Sequence, residues 1–416
     1  MYELVNVLRD YAWGSTTAIA ALLGRPESGG PEAELWIGAH PDSPSLASSG
    51  DAGDSISLDQ LIETDPEHFL GAASIEKFGP RLPFLAKILA AAQPLSLQVH
   101  PSLEQAKAGF ARENADGVPA GAAHRNYRDA NHKPEMILAL TPFEALCGFR
   151  GAPQTLALFE HVHQLFGPAG IEVPGIVEEL LVDLANPDEE AALHAAFVRL
   201  ITGGDRVAAA TASVASALLT ADSFAPYQAE LATALSLNEK YPGDPGVLIS
   251  LLLNRISLQP GESVYLPAGK VHAYLHGLGV EVMASSDNVL RGGLTPKFVD
   301  VPELLQTLEF QAVALPRLHA ERNHLDQEMF RPPFAEFALQ RIELGPDAGP
   351  VPVAQSGAAV LLVVTGQVVL DSPKGDLHLR QGGSAFLPAA EAPVNVHRAA
   401  GSTEDVLVFA VTTGLR

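Results

Sequence analysis

Leu258-Gln-Pro-Gly-Glu-Ser-Val-Tyr-Leu-Pro-Ala-Gly-Lys-Val-His-Ala-Tyr-Leu-His276 reads as strand, tight turn, strand, with a histidine carried just past a Pro-x-Gly corner. Gly261 permits a turn with positive φ. Pro267 fixes φ and ends the ladder where no amide donor is needed. Gly269 bends the chain back, so that His272 is expected to point into the space the strands enclose. The competing reading is a plain hairpin with a satisfied core histidine, and sequence context has to decide between them.

That context lies upstream. Leu95-Ser-Leu-Gln-Val-His-Pro101 alternates. In a strand, Leu95, Leu97 and Val99 face one way and Ser96, Gln98 and His100 the other, because side chains alternate with period two. Asn131-His-Lys-Pro-Glu-Met136 places Glu135 immediately before an apolar run. Gln98, His100, Glu135 and His272 then offer two imidazole nitrogens and two oxygens, a donor set that suits zinc with an open position for substrate or water. One zinc ion per chain is the expected cofactor.

These residues carry a resemblance. Gly261, Pro267, Gly269 and His272 fall at the spacing G-x5-P-x-G-x2-H, the second metal motif of cupin β-barrels. The chain resembles the type I mannose-6-phosphate isomerases (phosphomannose isomerases), zinc-dependent cupin enzymes. The likeness runs in order through Tyr11-Ala-Trp-Gly-Ser15, Ala33-Glu-Leu-Trp-Ile-Gly38, Leu82-Pro-Phe-Leu-Ala-Lys87, Leu95 to Pro101, Asn131 to Glu135, Pro267 to Tyr274 and Ser286-Asp-Asn-Val-Leu-Arg-Gly-Gly-Leu-Thr-Pro-Lys297. It implies interconversion of mannose 6-phosphate and fructose 6-phosphate through an enediol(ate), as the pathway to GDP-mannose requires. The last 100 residues resemble the family only in architecture.

The reaction needs a Lewis acid at the carbonyl and a proton carrier between C1 and C2. His132, Lys133, Glu281 and Asp287 are the candidates for proton transfer, and the residue pattern does not choose among them. For His132 the alternative is a structural histidine. For Glu281, in an apolar strand read as Gly279 to Ala284, it is a carboxylate paired with a buried lysine or arginine. Arg291 lies in a glycine-rich turn, and its fork suits a phosphate or an enediolate oxygen. The family's Arg-Ala-Gly stands here as Arg291-Gly-Gly, a departure expected to loosen the turn. Lys297, Lys87 and Ser96 are candidates for the phosphate, Tyr274 for the sugar, and the resemblance puts Trp13 beside the pocket. Trp36 is read as core.

Composition sets the outer limits. Net charge is −23, with only 26 Lys and Arg in 416 residues, which argues against nucleic acid and anionic membranes as partners. A sugar phosphate then needs a local cationic cluster. The lone Cys147 fits a reducing cytoplasm and a core position. No signal peptide is expected, and a monomer is the default.

The fold class expected is mainly β with a helical insertion: two cupin-type (jelly-roll) β-barrels plus an α-helical domain. Residues 1–150 with 246–315 are assigned to a discontinuous catalytic barrel, 151–245 to the helical insertion and 316–416 to a second barrel. Leu379 to Ala389 repeats the pattern of Leu258 to Ala268, and Pro393 stands where His272 would fall, so the second barrel is expected to lack a metal site. His397, His161, His163 and His194 are read as structural. A capping box at Ser102 and Gln105 predicts a helix ending near Asn114. Asn186-Pro-Asp-Glu189 predicts another with Pro187 at its first position. Residues 43–57 read as a loop and 115–131 as a lid or mobile segment. Two alternatives from other classes are a non-catalytic sugar-binding cupin and a metal-dependent cupin dioxygenase.

Overall fold

The computed structural model describes residues 1–48, 55–322, 327–402 and 404–415. The chain is mainly sheet with helices. Its organising element is the strand His272–Ala284, buried except at His276. Residues 277–284 of that strand pair with Phe84–Ala91, and its 279–283 stretch pairs with Glu135–Ala139 on the other side. The first residues pair with Phe143–Phe149, and His272 sits opposite Gln98. The strand changes partners at Gly277, where φ is 128°. A methyl group there would lie 2.7 to 2.8 Å from Phe143 and the Pro142 carbonyl, so only glycine lets the two ladders meet. The span read as Gly279 to Ala284 is therefore the end of a much longer element.

One sheet runs in the order Arg317–Leu318, Ser263–Leu266, Glu135–Ala139, His272–Ala284, Phe84–Ala91, Glu34–Ile37, Val7–Arg9. A second begins at Glu321–Arg322 and continues through Ala338–Leu344, Val406–Thr412, Ala359–Thr365 and Ser384–Leu387 to Tyr2–Val5. Its far edge is Leu46–Ser48 beside Ile56–Ser57. The N-terminal strand thus belongs with the C-terminal sheet, pairing Tyr2 with Phe386. Alternation alone says that Tyr2–Val5 is a strand and not which edge it joins. The two sheets bury a common core in which Ile37, Ala86, Val280 and Val282 meet Val360, Leu362, Phe386 and Phe409. A four-stranded sheet of Val351–Pro352, Asn395–Arg398, Gln367–Ser372 and Gly375–Arg380 covers the other face of the second.

Between residues 152 and 240 lie five helices, Ala152–Ala169, Gly175–Leu184, Glu189–Thr202, Gly204–Thr220 and Gln228–Lys240. Their apolar faces, Leu193, Phe197 and Leu200 among them, pack on Leu97, Val99, Phe149 and Leu290 behind the site. Glu189–Thr202 starts two positions after Pro187, the expected first position: Asp188 leads in, its carboxylate accepting from the Ala191 amide. An acceptor side chain at the cap satisfies an amide that proline cannot. The Ser102–Gln105 capping box forms and opens Leu103–Ala115. His194 and His161 pack against Phe310 and Tyr227, and His397 faces Asp371 at 3.4 Å.

Two loop readings change. Within 43–57, Leu46–Ser48 and Ile56–Ser57 pair as strands, while 49–54 lie outside the described residues. The segment after Ala115 is irregular yet held along its length. Arg125 donates to the Val118 and Tyr127 carbonyls and to Asn114. The buried Glu113 carboxylate accepts from the amides of Asn126 and Tyr127. Backbone groups paired this way stay in place without regular structure. No helix among the described residues is long and apolar enough to cross a membrane.

Because the core is shared by both sheets, Phe386→Ala should cost about 3–5 kcal/mol and lower the urea midpoint of the whole chain in one transition. A loss confined to a minor early phase would show that the sheets unfold separately.

Candidate metal centre

His100, Glu135 and His272 come from three strands or strand ends and converge with their ligand atoms within 4.8 Å of one another, all three buried. Their hydrogen bonds dictate what they offer. His100 Nδ1 lies 2.7 Å from the Asn288 carbonyl and His272 Nδ1 3.0 Å from the Lys270 carbonyl. A carbonyl only accepts, so both rings carry a proton on Nδ1, and the neutral form of each presents its lone pair at Nε2. Those lone pairs face the two oxygens of one carboxylate: His100 Nε2 to Glu135 Oε1 at 3.3 Å, and His272 Nε2 to Oε2 at 3.4 Å. His100 Nε2 is buried without a hydrogen-bond partner. Acceptors aimed at acceptors in a dry pocket are unfavourable until a cation joins them. The donor set therefore fits a divalent metal.

Gln98 supplies the fourth candidate ligand from Gln98–Val99, with His272 opposite it on one side and Arg291 on the other. The extended segment is laced in place, Leu95 donating to the Tyr274 carbonyl and Leu97 to that of Gly293. Lys133 Nζ stands 3.0 Å from Glu135 Oε1. Burial works against ionisation of Glu135, and Lys133 outweighs it, leaving the carboxyl well below its ordinary range. Burial lowers His100 to about 4, so its ring is neutral and ready to ligate.

A second buried charge group lies alongside. Lys87 is clasped between Glu281 Oε2 at 3.1 Å and Glu34 Oε1 at 3.4 Å. It also stacks 5.0 Å over Trp36, the core residue expected. Burial pulls Lys87 down, but its two carboxylates win and hold it protonated, above the ordinary lysine range. Glu281 is pushed up, by burial first and against the pull of Lys87. The pairing with a buried lysine is thus what the structure places at Glu281, and Lys87 is engaged by carboxylates. Burial and then the Glu281 and Glu135 carboxylates hold the Tyr274 phenol well above its usual range. Trp13 is half-buried against the cluster that contains Tyr274. Ser96 is half-buried on the ligand-bearing segment.

His132 sits outside the triad, with Nε2 2.6 Å from Glu336 Oε1. Lys133 meets Glu135 from the irregular stretch that leads into the strand Glu135–Ala139. Asp287 is half-exposed, with Oδ2 3.6 Å from the buried His40 Nε2. Cys147 is buried and its thiol pushed up to about 12 by burial, which makes it a packing residue.

Arg291 and Lys297 stand together. Burial first and then the neighbouring Arg128 lower Arg291, while burial, Arg291 and Arg128 lower Lys297. None of the three forms an ion pair among the described residues. Arg128 was not singled out from the sequence because nothing in Asn126-Tyr-Arg128 marks it; its approach to Arg291 is purely tertiary. Position 292 accepts a methyl with no contact nearer than 3.6 Å, so the family's alanine would fit there. Gly293, at φ 124°, is the residue that must be glycine, since a methyl would lie 2.9 Å from Gly246 Cα.

The metal-free protein should lose stability as pH falls from 6.5 towards about 4. The folded state cannot take up the His100 proton that the unfolded chain binds, so that contribution is complete above 6.5 and lost below it. Urea midpoints measured against pH in chelator check this, and His100→Asn should flatten the slope.

Comparison with known proteins agrees with this geometry. Residues 1–152 match the family model for the phosphomannose isomerase type I catalytic domain. The chain is 42% identical over 399 residues to the mannose-6-phosphate isomerase of Escherichia coli K12, covering 95% of this chain and 97% of that protein. It is 31% identical to the Homo sapiens mannose-6-phosphate isomerase, covering 98% and 97%. A crystal structure of a mutant Salmonella typhimurium phosphomannose isomerase superposes with a TM-score of 0.87 at 37% identity, covering 100% of both chains. Another from that organism, bound to substrate and zinc, gives 0.86. With this coverage and identity, the chain belongs to the type I phosphomannose isomerase (mannose-6-phosphate isomerase) family.

Proposed function

We propose that the chain is a zinc-dependent aldose–ketose isomerase that interconverts mannose 6-phosphate and fructose 6-phosphate. The observation that carries this reading is the pair of buried imidazole lone pairs aimed at the two oxygens of Glu135. His100, Glu135 and His272 would hold the ion, with the Gln98 amide as fourth ligand and room for substrate. Zinc bound there supplies Lewis acidity towards the sugar's carbonyl end.

The chain's own residues do the rest. Arg291 and Lys297, joined by Arg128, form the local positive site that an anionic substrate needs in an acidic protein. Burial first, and then repulsion from the neighbouring cations, lowers Arg291 and Lys297, and a phosphate dianion relieves the repulsion. Glu281 is our choice for the proton carrier between C2 and C1. Burial has moved its pKa upward, towards the range where a carboxyl both takes and gives a proton. Lys87 keeps it oriented. Lys133, beside Glu135, is placed to stabilise charge developing on the enediolate oxygens. Asp287, at the more open side, is available for ring opening, and Tyr274 and Trp13 border the sugar. Ser96 flanks the ligand strand. His132 we assign to holding the C-terminal sheet through Glu336.

We further read the two sheet assemblies as cupin-type barrels, the first built mainly on 1–150 and 246–315, the second mainly on 316–416 with Pro393 in place of a ligand, and 151–245 as the helical insertion; Tyr2–Val5, Leu46–Ser48 and Ile56–Ser57 join the second sheet, and Arg317–Leu318 the first. A cytoplasmic monomer completes the reading, consistent with a buried, unpaired Cys147. The binding-protein and dioxygenase alternatives are not favoured, since the curated relatives are named isomerases.

A coupled assay of fructose 6-phosphate formation from mannose 6-phosphate should give turnover that a chelator abolishes and zinc restores, with about one zinc per chain. Bound zinc without turnover would overturn the substrate assignment. Glu281→Gln should lower kcat by about 10²–10⁴ and abolish exchange of the C2 proton with solvent, with zinc content retained. Exchange at the wild-type rate would remove Glu281 as the carrier.

A further inference from the structure

The metal end and the cationic end of the site are joined through one residue, its main-chain carbonyl facing one end and its side-chain amide the other. Asn288 is fully buried, at 0% exposure. Its carbonyl accepts from His100 Nδ1 at 2.7 Å. Its Oδ1 accepts from the amides of Arg128 at 2.7 Å and Asp129 at 3.2 Å. Its Nδ2 donates to the carbonyls of Asp129 and Asn131, both at 2.8 Å. An asparagine amide offers two donors and an acceptor with two lone pairs, and nearly all of that capacity is used here.

Such saturation has a purpose beyond filling space. The bonds at one end fix the tautomer of a ligand imidazole, and those at the other fix the backbone of the exposed Arg128 in an otherwise irregular segment. Partners behind a ligating histidine set both its orientation and its basicity. Resting on the reading of His100 as a zinc ligand and Arg128 as an anion contact, we infer that Asn288 is a positioning residue serving both ends of the site: its side-chain amide holds the Arg128 segment and, through the same bonds, holds its own carbonyl against His100.

The test uses the full chain and two probes, zinc alone and inorganic phosphate added to the zinc-loaded protein, each titrated by calorimetry. Asn288→Ala keeps the main-chain carbonyl but removes the side-chain bonds that fix its position against His100; it should weaken zinc by about tenfold and phosphate by about tenfold, the equivalent of one charge-assisted contact. Arg128→Gln should weaken phosphate to the same extent and leave zinc unaltered. In the Asn288→Ala background, Arg128→Gln should then add little, because the guanidinium is already misplaced. A merely structural role would lower Tm without this selective pattern. Asn288→Asp has the same shape but loses both Nδ2 donors, and it should weaken both probes; it decides the matter if Asn288→Ala does not fold. Unchanged affinities in the folded variants, loss of only one probe, or full additivity with Arg128→Gln each overturn the inference. A wild type that binds neither probe would instead sink the underlying reading of the site.

Discussion

Two imidazoles whose Nδ1 protons are taken up from behind ligate through Nε2, and in that form their lone pairs face the lone pairs of one carboxylate, an arrangement that needs something positive between them. That constraint governs the molecule. The tautomers are imposed from behind, by the Asn288 and Lys270 carbonyls, so neither ring can turn its N–H towards Glu135 without losing a buried bond. Lys133 satisfies one carboxylate oxygen from the side, which keeps Glu135 ionised before any ion arrives. The pocket is thus charged and preorganised for a divalent cation, and the cost of assembling it has to come from packing elsewhere.

The fold supplies that packing on two sides. Behind Gln98 and His272, the helices set Phe197 against Phe149 with ring centroids 5.9 Å apart and bury Leu97 and Val99. Beyond Glu281, the second sheet closes the core with Phe386 and Phe409. The bend at Gly277 lets one strand serve both regions, with His272 and Tyr274 before it and Glu281 after it. A straight strand would leave the metal ligand and the buried carboxylate in separate ladders.

Much of this was legible in the residues, and what was missed follows a pattern. His272 declared itself through its glycine and proline corner, His100 through alternation, and the helix at Leu103 through its capping box, all signals contained within a few residues. The partners of charged groups were not, because they lie far away along the chain. Lys87 reads as a phosphate contact until Glu34 and Glu281 are seen on either side of it. His132 reads as a proton carrier until Glu336, 204 residues on, takes its Nε2. Nothing local to Tyr2–Val5 points to its neighbour Ser384–Leu387 at the other end of the chain. Local patterns specify elements and corners, whereas burial decides which charges must find each other.

The acidity of the chain then gains a physical meaning. With 49 acidic residues against 26 basic ones, unpaired cations should be scarce, since a carboxylate is usually available to neutralise each. Lys87 and Arg125 follow that expectation, each with a glutamate at hand. Arg128, Arg291 and Lys297 do not, and they lie together where repulsion among them is felt. A cluster of like charges persists in such a protein only if the surrounding structure forces it. The forcing elements are visible: Asn288 pins the Arg128 amide, and Asp244 pins the turn after Arg291 through the amides of Leu294 and Thr295. Leu294 is held there at a positive φ of 55°, a conformation leucine rarely adopts. In the function proposed above, the repulsion and the strained turn both serve the substrate's phosphate, an anion that the rest of the surface would repel.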